Sequence, residues 1–499
     1  SNTFFWIVLR SFIGDFMDLS QYFTSTDFTG IAPEIVLTIT ALCILTLEMM
    51  RFSRPGVNLL SATVGLLMAG VFVAQGFEEG ILFGGMLKLN KFSMFFDFLY
   101  LGIGLGTLIF SQGYLEKKGS ESRGEYSALI LFCVIGMMLM TRANDLVIVF
   151  LGLELLSLSL YVLVGFLRDN LLSNESGIKY LLLGAFATGF FLFGAAMIYG
   201  ATGTTNYNEI ASAVASGSIL SNVYLSLGIG LLLTGFAFKV ALVPFHMWSP
   251  DVYEGAPTTV TAFLCTAPKA AGFGALLILF NNAFVEIHYQ WRDIFWILSA
   301  LTMTVGNVSA LVQSNVKRML AFSSISHAGF LVMGILVLNE SSISALLFYL
   351  VTYSVINLGA FAIVSAAENE ERGLEFKDYR GLAAQRPGLS AAMTIFMISL
   401  AGFPPTAGFV AKYGLFSAAV EQGYIWLVVV GVLNTLISVY YYLRLVINMY
   451  MQEEERALLP SFSMLAIGLI GLMATMMVVL GIIPGYLLEI AAEAANITS

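Results

Sequence analysis

The sequence predicts an all-α integral membrane protein of about 14 transmembrane helices, and three observations carry that prediction. Hydrophobic residues make up 58% of the 499 residues and charged residues only 11%, with a mean hydropathy of +0.86. A soluble chain carries about 25% charged residues. The apolar residues gather into runs long enough to cross a bilayer, which takes about 20 residues per helix. Lys and Arg divide unevenly between alternate connections, as an excess of basic residues in cytoplasmic loops requires.

In chain order, Phe4 to Leu9 are apolar but Arg10, Asp15 and Asp18 interrupt them, so residues 1–20 read as an interfacial helix or an extra tail rather than a signal peptide. Fourteen spans follow, at roughly 31–50, 57–76, 93–112, 126–141, 145–167, 177–200, 221–245, 258–281, 293–313, 318–338, 342–366, 388–414, 424–450 and 462–488. Of the 23 Lys and Arg, 14 fall in loops after odd-numbered spans and 4 in loops after even-numbered ones. The odd loops are therefore expected on the cytoplasmic or matrix side and both termini on the opposite face.

Two stretches break the pattern. GFAFKVALVPFHMW in the seventh span and SLAGFPPTAGFVAKYGLF in the twelfth each combine a central lysine with proline. Proline removes a backbone donor, and a helix broken at membrane depth persists only where protein or water satisfies the freed groups. Spans 7 and 12 are thus expected to be discontinuous. Their odd offset implies two inverted five-helix repeats, an arrangement that builds a midplane ion site. The chain divides into 1–125 (tail and helices 1–3), 126–281 (first repeat, helices 4–8), 293–450 (second repeat, helices 9–13) and 462–499 (helix 14).

The composition also excludes classes of function. Cys43, Cys133 and Cys265 lie far apart in apolar runs, with no CxxC pair or Cys/His cluster, which argues against an iron–sulfur cluster, a c-type haem or a zinc site. No phosphate-binding glycine loop follows a strand pattern, and no Ser or Cys triad assembles around the three histidines. A net charge of −9 argues against nucleic acid as a partner.

What remains is a set of charges inside the spans. Glu154, Lys239, Lys269 and Lys412 lie mid-helix and Lys179 nearer an end. Each costs roughly 2.5–3.5 kcal/mol at a helix centre, so they must face one another or water. A lysine poised between burial and pairing gains or loses a proton when a neighbouring charge moves, which is what a proton relay requires. Their alternative role is as structural ion pairs that hold helices in register. His327 in SSISHAGF is a further proton-transfer candidate. His246, after Pro244, fits either a relay or a cap on the broken helix. Asp251 and Glu254 read as loop-ordering groups or entry funnels, and Glu34, Glu48 and Asp97 as solvated or interface-anchored carboxylates.

At these residues the chain resembles a known family, the antiporter-like membrane subunits of proton-pumping NADH:quinone oxidoreductase (respiratory complex I), and among them the N type, the counterpart of mitochondrial subunit 2 and of a chloroplast NDH subunit. The motifs are FLGLELLSLSLYVL, SGIKYLLLGAF, GFAFKVALVPFHMWSPDVYEGAPTTVTAFLCTAPKAAGFG, QSNVKRMLAFSSISHAGF, SLAGFPPTAGFVAKYGLF and SVYYYLRLV, spread over residues 144–445. The resemblance implies that Glu154 and Lys239 form a switching pair modulated by Lys179. It makes Lys269 the central lysine, His327 a member of the axis between halves, and Lys412 the residue leading to the far side. It further implies that FMN, iron–sulfur clusters and quinone belong to partner subunits, that K-, M- and J-type subunits are neighbours in the bilayer, and that a bacterial inner membrane is the expected location. The alternatives are a monovalent cation/proton antiporter of the related Mrp kind and a scaffold without transport.

Overall fold

The computed structural model describes residues 24–50, 55–75, 79–119, 123–217, 219–220, 222–368, 373–453 and 463–496. The tail before residue 20 lies outside them. The helices are α1 (Ser25–Gly30), α2 (Ala32–Met49), α3 (Pro55–Gln75), α4 (Lys91–Lys117), α5 (Arg123–Arg142), α6 (Leu146–Val164), α7 (Leu171–Thr202), α8 (Tyr207–Ala215), α9 (Val223–Lys239), α10 (Trp248–Gly255) and α11 (Thr258–Leu264). They continue with α12 (Ala267–Asn282), α13 (His288–Leu311), α14 (Val316–Val337), α15 (Glu340–Ala367), α16 (Leu382–Gln385), α17 (Pro387–Ala401), α18 (Ala407–Glu421), α19 (Ile425–Met451), α20 (Met464–Ile482) and α21 (Gly485–Ala495).

Twelve helical stretches among the described residues are long and apolar enough to cross a membrane, and α9 and α17 are two shorter apolar helices. The short ones are those expected to be broken. Polar residues fix several starts: the Asp145 side chain accepts from Val147 N at 2.8 Å to open α6, and Asn170, Asn222 and Asn315 do the same for α7, α9 and α14. Such caps satisfy amides that a helix leaves unpaired in its first turn.

Burial sorts the spans into an axis and a rim. The apolar stretch over α11 and α12 is wholly buried, α14 and α15 nearly so, and α3, α19 and α20 are two-thirds uncovered. Bare apolar faces of that kind suit lipid. The axis is packed tightly: a methyl on Gly306 would lie 2.5 Å from Ser326 N, and one on Gly329 would lie 2.5 Å from Met303 N, so α13 and α14 meet backbone to backbone. A small antiparallel hairpin, β1 (Gly80–Leu82) paired with β2 (Leu87–Leu89), closes one end over α4 and α5. Gly84 and Gly85 supply its positive φ angles of 63° and 100°.

Candidate functional site

The first buried lysine is positioned by a helix that stops on it. α9 ends at Lys239, and the chain then runs through Pro244, which cannot donate to a ladder. The four amides that follow Lys239 are met by protein. Val240, Ala241 and Leu242 donate to the carbonyls of Phe236, Phe238 and Ala237 at 3.0, 3.1 and 2.8 Å, and Val243 N donates to Thr302 Oγ1 on α13 at 3.0 Å. The indole of Trp248 donates to Phe238 O at 2.9 Å and stacks on Tyr180, centroids 4.7 Å apart. Ending at Lys239 puts its ammonium where the helix carbonyls make the potential negative.

Lys239 is buried, and its Nζ donates to Ser157 Oγ at 2.8 Å and to Tyr180 OH at 3.4 Å. Glu154 sits one turn before Ser157 on α6, half-buried, and its Oε1 has no hydrogen-bond partner. Among the described residues no ion pair within 4.0 Å joins Glu154 to Lys239. The pair expected from the sequence is therefore apart, with the lysine held by a serine and a tyrosine. A pocket lined by Ser157, Tyr161, Thr188 and Gly235 reaches the lysine.

The second lysine lies on the axis. The eighth span is itself interrupted, at Cys265 and Thr266 between α11 and α12, a break the sequence reading missed. Thr266 Oγ1 covers the loose end by donating to Ala262 O at 2.8 Å and Phe263 O at 2.9 Å. Lys269, in the first turn of α12, donates to Ser324 O at 2.7 Å and also to Ser324 Oγ. Tyr353 OH donates to the same Oγ at 2.8 Å, and its ring lies 5.9 Å beneath the ammonium.

One turn along α14, His327 bridges two phenols, with Nδ1 2.6 Å from Tyr349 OH and Nε2 3.1 Å from Tyr442 OH, and Tyr442 OH also bonds Ser323 Oγ. Lys269 and His327 are thus brought together through adjacent serines of one helix and tyrosines of α15 and α19. Lys239 reaches the same axis by packing alone: a methyl on Gly272 would lie 2.6 Å from Val240 Cγ1 and 3.9 Å from Lys239 Cγ.

Lys412 repeats the motif of a lysine at a broken carbonyl end. α17 stops at Ala401, Gly402 turns the chain with φ 83°, and Lys412 of α18 donates back to Leu400 O at 3.0 Å and Ala401 O at 3.4 Å. Its ammonium lies 5.0 Å over the Phe330 ring. A methyl on Gly408 would lie 1.8 Å from Ser399 O, so the two half-helices approach at a distance only glycine allows.

Other expectations fare differently. Lys179 touches Glu175 at 2.7 Å and Asp251 at 3.0 Å, not Lys239, and its side chain is 42% exposed. Asp251 is shared with Arg318 at 2.9 Å, and Arg318 also pairs with Glu254 at 2.6 Å, so the acidic connection orders α10 between α7 and α14. Partial burial pushes the Asp251 carboxyl up, but Lys179 and Arg318 outweigh it and hold the carboxyl below its ordinary value. Trp248, not His246, caps the broken helix; His246 Nδ1 is buried and unpartnered.

Glu34 and Asp97 are not solvated: both are buried against Arg142, which the sequence had placed in a loop. Glu48 is half-buried and accepts from Asn58 Nδ2 at 3.0 Å. Lys317, read as a loop residue, is buried and donates to Ala256 O at 2.8 Å.

Sequence reasoning also overlooked Glu368. It is buried just past α15, accepts from Tyr114 OH at 3.2 Å and from Thr258 Oγ1, and pairs with Lys118 at 3.0 Å. Burial pushes this carboxyl up, but Lys317 and Lys118 more than offset that and hold it below the usual value. Among the described residues no group of three or more His, Cys, Asp or Glu could hold a metal ion.

Comparison with known proteins gives one consistent result. The family model described as NADH:quinone oxidoreductase/Mrp antiporter, transmembrane region, matches residues 143–438. NADH-quinone oxidoreductase subunit N of Trichlorobacter lovleyi is 46% identical over 487 residues, 96% of this chain and 99% of the relative. Subunit N 1 of Solibacter usitatus is 40% identical over 490 residues, with 96% and 99% covered. A chain of respiratory complex I from Thermus thermophilus superposes with a TM-score of 0.78 at 33% identity, covering 92% of this chain and 99% of that one. A chain of the Mrp complex from Dietzia sp. matches with a TM-score of 0.79 at 21% identity, covering 93% and 96%, which is a likeness of fold.

Proposed function

The chain belongs to the NADH:quinone oxidoreductase/Mrp antiporter family, among its subunit N relatives, and from that premise we propose that Glu154, Lys179, Lys239, Lys269, His327 and Lys412 carry its proton translocation. It is a proton-translocating, multi-pass membrane subunit of NADH:quinone oxidoreductase, a translocase. The observation that carries the site assignment is the separated pair in the first half. A carboxylate with an unpartnered oxygen stands one turn from Ser157 on α6, and the buried ammonium of Lys239 is held by that same Ser157 and by Tyr180. Two opposite charges kept apart by neutral partners can exchange those partners for each other.

When Lys239 swings to Glu154, the hydroxyls of Ser157 and Tyr180 are released and the lysine's charge moves away from the axis. When it returns, its charge acts on Lys269 across the Gly272 contact. A proton leaving Lys269 passes to the Ser324 and Tyr353 hydroxyls, then by Ser323 and Tyr442 to His327, and from there toward Lys412. Lys179 sits in the Asp251–Arg318 cluster, so its influence on Lys239 runs through α10, whose Trp248 caps the break and stacks on Tyr180. The hydroxyl and imidazole hydrogen bonds of this run can reverse their donors, which is what net proton movement needs.

Energy then enters from redox chemistry in other subunits. FMN, iron–sulfur clusters and quinone are assigned to those partners, with K-, M- and J-type subunits as membrane neighbours. The charge bias of the loops supports both termini on the periplasmic or equivalent side, and the N-type motifs support a bacterial inner membrane. The test is NADH:quinone turnover and proton uptake in parallel, in membrane vesicles carrying Lys239→Ala, with assembly followed on a native gel. Assembled complex with both activities lost together is the expected result. Wild-type values for both would reduce the lysine to a structural ion and overturn the assignment. A sodium-driven pH change in vesicles holding this chain alone would favour the cation/proton antiporter reading instead.

A further inference from the structure

The lysine axis leaves one buried ionic group unused, at the end of the bundle that the hairpin closes. Arg142, the last residue of α5, donates through Nε and Nη2 to Asp97 Oδ2 of α4 at 3.2 and 2.6 Å, and through Nη1 to Gly30 O at 3.0 Å. Nη1 also lies 2.6 Å from Glu34 Oε1 of α2. Exposure is 3% for Arg142, 5% for Glu34 and 1% for Asp97. Two carboxylates share one guanidinium, so with every group ionised the site holds an uncompensated negative charge. Three of the four carboxylate oxygens, Glu34 Oε1 and Oε2 and Asp97 Oδ1, have no hydrogen-bond partner.

A buried unpaired charge is among the costliest arrangements a protein can hold, and among the described residues no neighbour supplies the balance. α3 carries no charged side chain over its described length, and Lys269 is the one charged residue of α12, five residues before the Gly274 contact named below. Tyr100, one turn after Asp97, and Thr141, next to Arg142, are neutral. Asp27 of α1 is committed to Thr24 and to Phe83 N. Lys91, at the start of α4, pairs with Glu493 in an exposed contact, and Lys88 of β2 has a partner of its own.

We propose that Glu34, Arg142 and Asp97 form a proton-binding site separate from the lysine axis, with Asp97 ionised and Glu34 carrying the proton. The geometry decides which carboxyl holds it. Asp97 accepts two donors from the guanidinium, as an anion does, whereas Glu34 meets only Nη1, which already serves Gly30 O. A metal ion fits less well, because two carboxyls and a guanidinium leave too few oxygens and place a cation beside the site. The bound proton lets spans 1, 3 and 4 cross the membrane without net charge at this level. It also sits against the axis: a methyl on Gly274 of α12 would lie 2.8 Å from Thr141 Cγ2 and 2.9 Å from Phe96 Cζ, the residues beside Arg142 and Asp97. Gly274 lies about 7.5 Å along α12 from Lys269.

The sign of the pH dependence follows. An unfolded glutamate ionises above about pH 4.3, so folding takes up a proton here. The stabilisation is complete at low pH and fades as pH rises through the release of that proton. The experiment uses the purified complex carrying Glu34→Gln, Asp97→Asn or both, with assembly read on native gels and thermal midpoints at about pH 7 and about pH 9.

Glu34→Gln copies the protonated group, so it should match wild type at the lower pH and exceed it at the higher. Asp97→Asn hands the anion's place to Glu34, and should also assemble and lose the alkaline decline. The double variant leaves Arg142 unpaired, and assembled complex should fall by at least about tenfold. A loss of assembly in Glu34→Gln equal to that of the double variant would overturn the proposal, because both carboxylates would then be needed as anions. So would a midpoint that rises when sodium chloride replaces choline chloride in wild type but not in Glu34→Gln, since the occupant would then be a sodium ion.

Discussion

Replacing Trp248 by Phe tests whether the break after Lys239 is held shut by a single indole. Trp248 is 3% exposed and gives its one N–H to Phe238 O at 2.9 Å. Phenylalanine keeps a ring to stack on Tyr180 but cannot donate. Phe238 O retains its bond from Ala241 N at 3.1 Å, so the loss is one acceptor lone pair rather than an orphaned carbonyl, at the low end of about 1–3 kcal/mol. The smaller ring also leaves a void beside Phe238, which adds a comparable increment. A total of about 1–2 kcal/mol corresponds to a factor of roughly 5–30 in the local opening equilibrium. Hydrogen exchange of the Val240, Ala241 and Leu242 amides in the assembled complex should accelerate by that factor, while amides in the lower half of α9 stay unchanged. Turnover and proton uptake should fall together, because Lys239 loses its fixed position. Unchanged exchange at the three amides would refute the reasoning, whatever happened to activity.

Further outcomes follow from the same geometry. Tyr442→Phe removes the hydroxyl that joins Ser323 to His327 and should lower proton uptake and turnover at least about tenfold, leaving assembly intact, since the loss of one hydroxyl costs stability only about 1 kcal/mol. Ser324→Ala leaves Lys269 its backbone acceptor but deletes the hydroxyl shared with Tyr353; native-gel assembly should be normal and coupled turnover reduced, and a wild-type rate would argue against passage through that hydroxyl. Glu368 is held below the ordinary carboxylate value, so its contribution is present above an unfolded value near about pH 4.3 and is lost only as pH falls through the lower folded value. Thermal midpoints of the wild-type complex should show no change from this cluster between about pH 6 and about pH 8, and Glu368→Gln should lower the midpoint equally at both.

How much of this was legible in the sequence depended on whether a feature is local. Lys239, Lys269 and Lys412 stood out because each interrupts an apolar run, and the breaks in spans 7 and 12 because Pro244, Pro404 and Pro405 sit inside such runs. The break at Thr266 escaped because Pro268 falls at the second position of α12, where proline is compatible with a helix start. Glu34 and Asp97 lie near the ends of their runs, which made them look interfacial; that they meet over Arg142 is a property of three spans packing together. Lys179 lies two turns into α7, and its partner Asp251 belongs to a segment 72 residues away. Tyr349, Tyr353 and Tyr442 carry no signal at all, since a phenol that conducts and a phenol that merely packs have the same spacing.

The three lysines assigned to proton transfer inside the bundle, Lys239, Lys269 and Lys412, are not equivalent, and the difference lies in the helix ends. Lys239 closes α9 and Lys412 reaches the last carbonyls of α17, so at both positions the helix dipole and free carbonyl oxygens favour a cation. Lys269 stands in the first turn of α12, where the same dipole opposes one. Its ammonium is solvated instead by Ser324 of α14, from the other half of the chain, and by the face of Tyr353 from α15. The outer lysines are thus stabilised by the breaks beside them, and the central one by helices that do not carry it. A shift of α14 or α15 relative to α12 changes the charge balance at Lys269 directly, while the outer pair feels it only through the axis. Since α14 also carries Arg318, whose bond to Asp251 positions α10 and its Trp248, one helix touches both the cap on Lys239 and the acceptor of Lys269. Movement of that helix is the simplest single event that can act on both lysines at once.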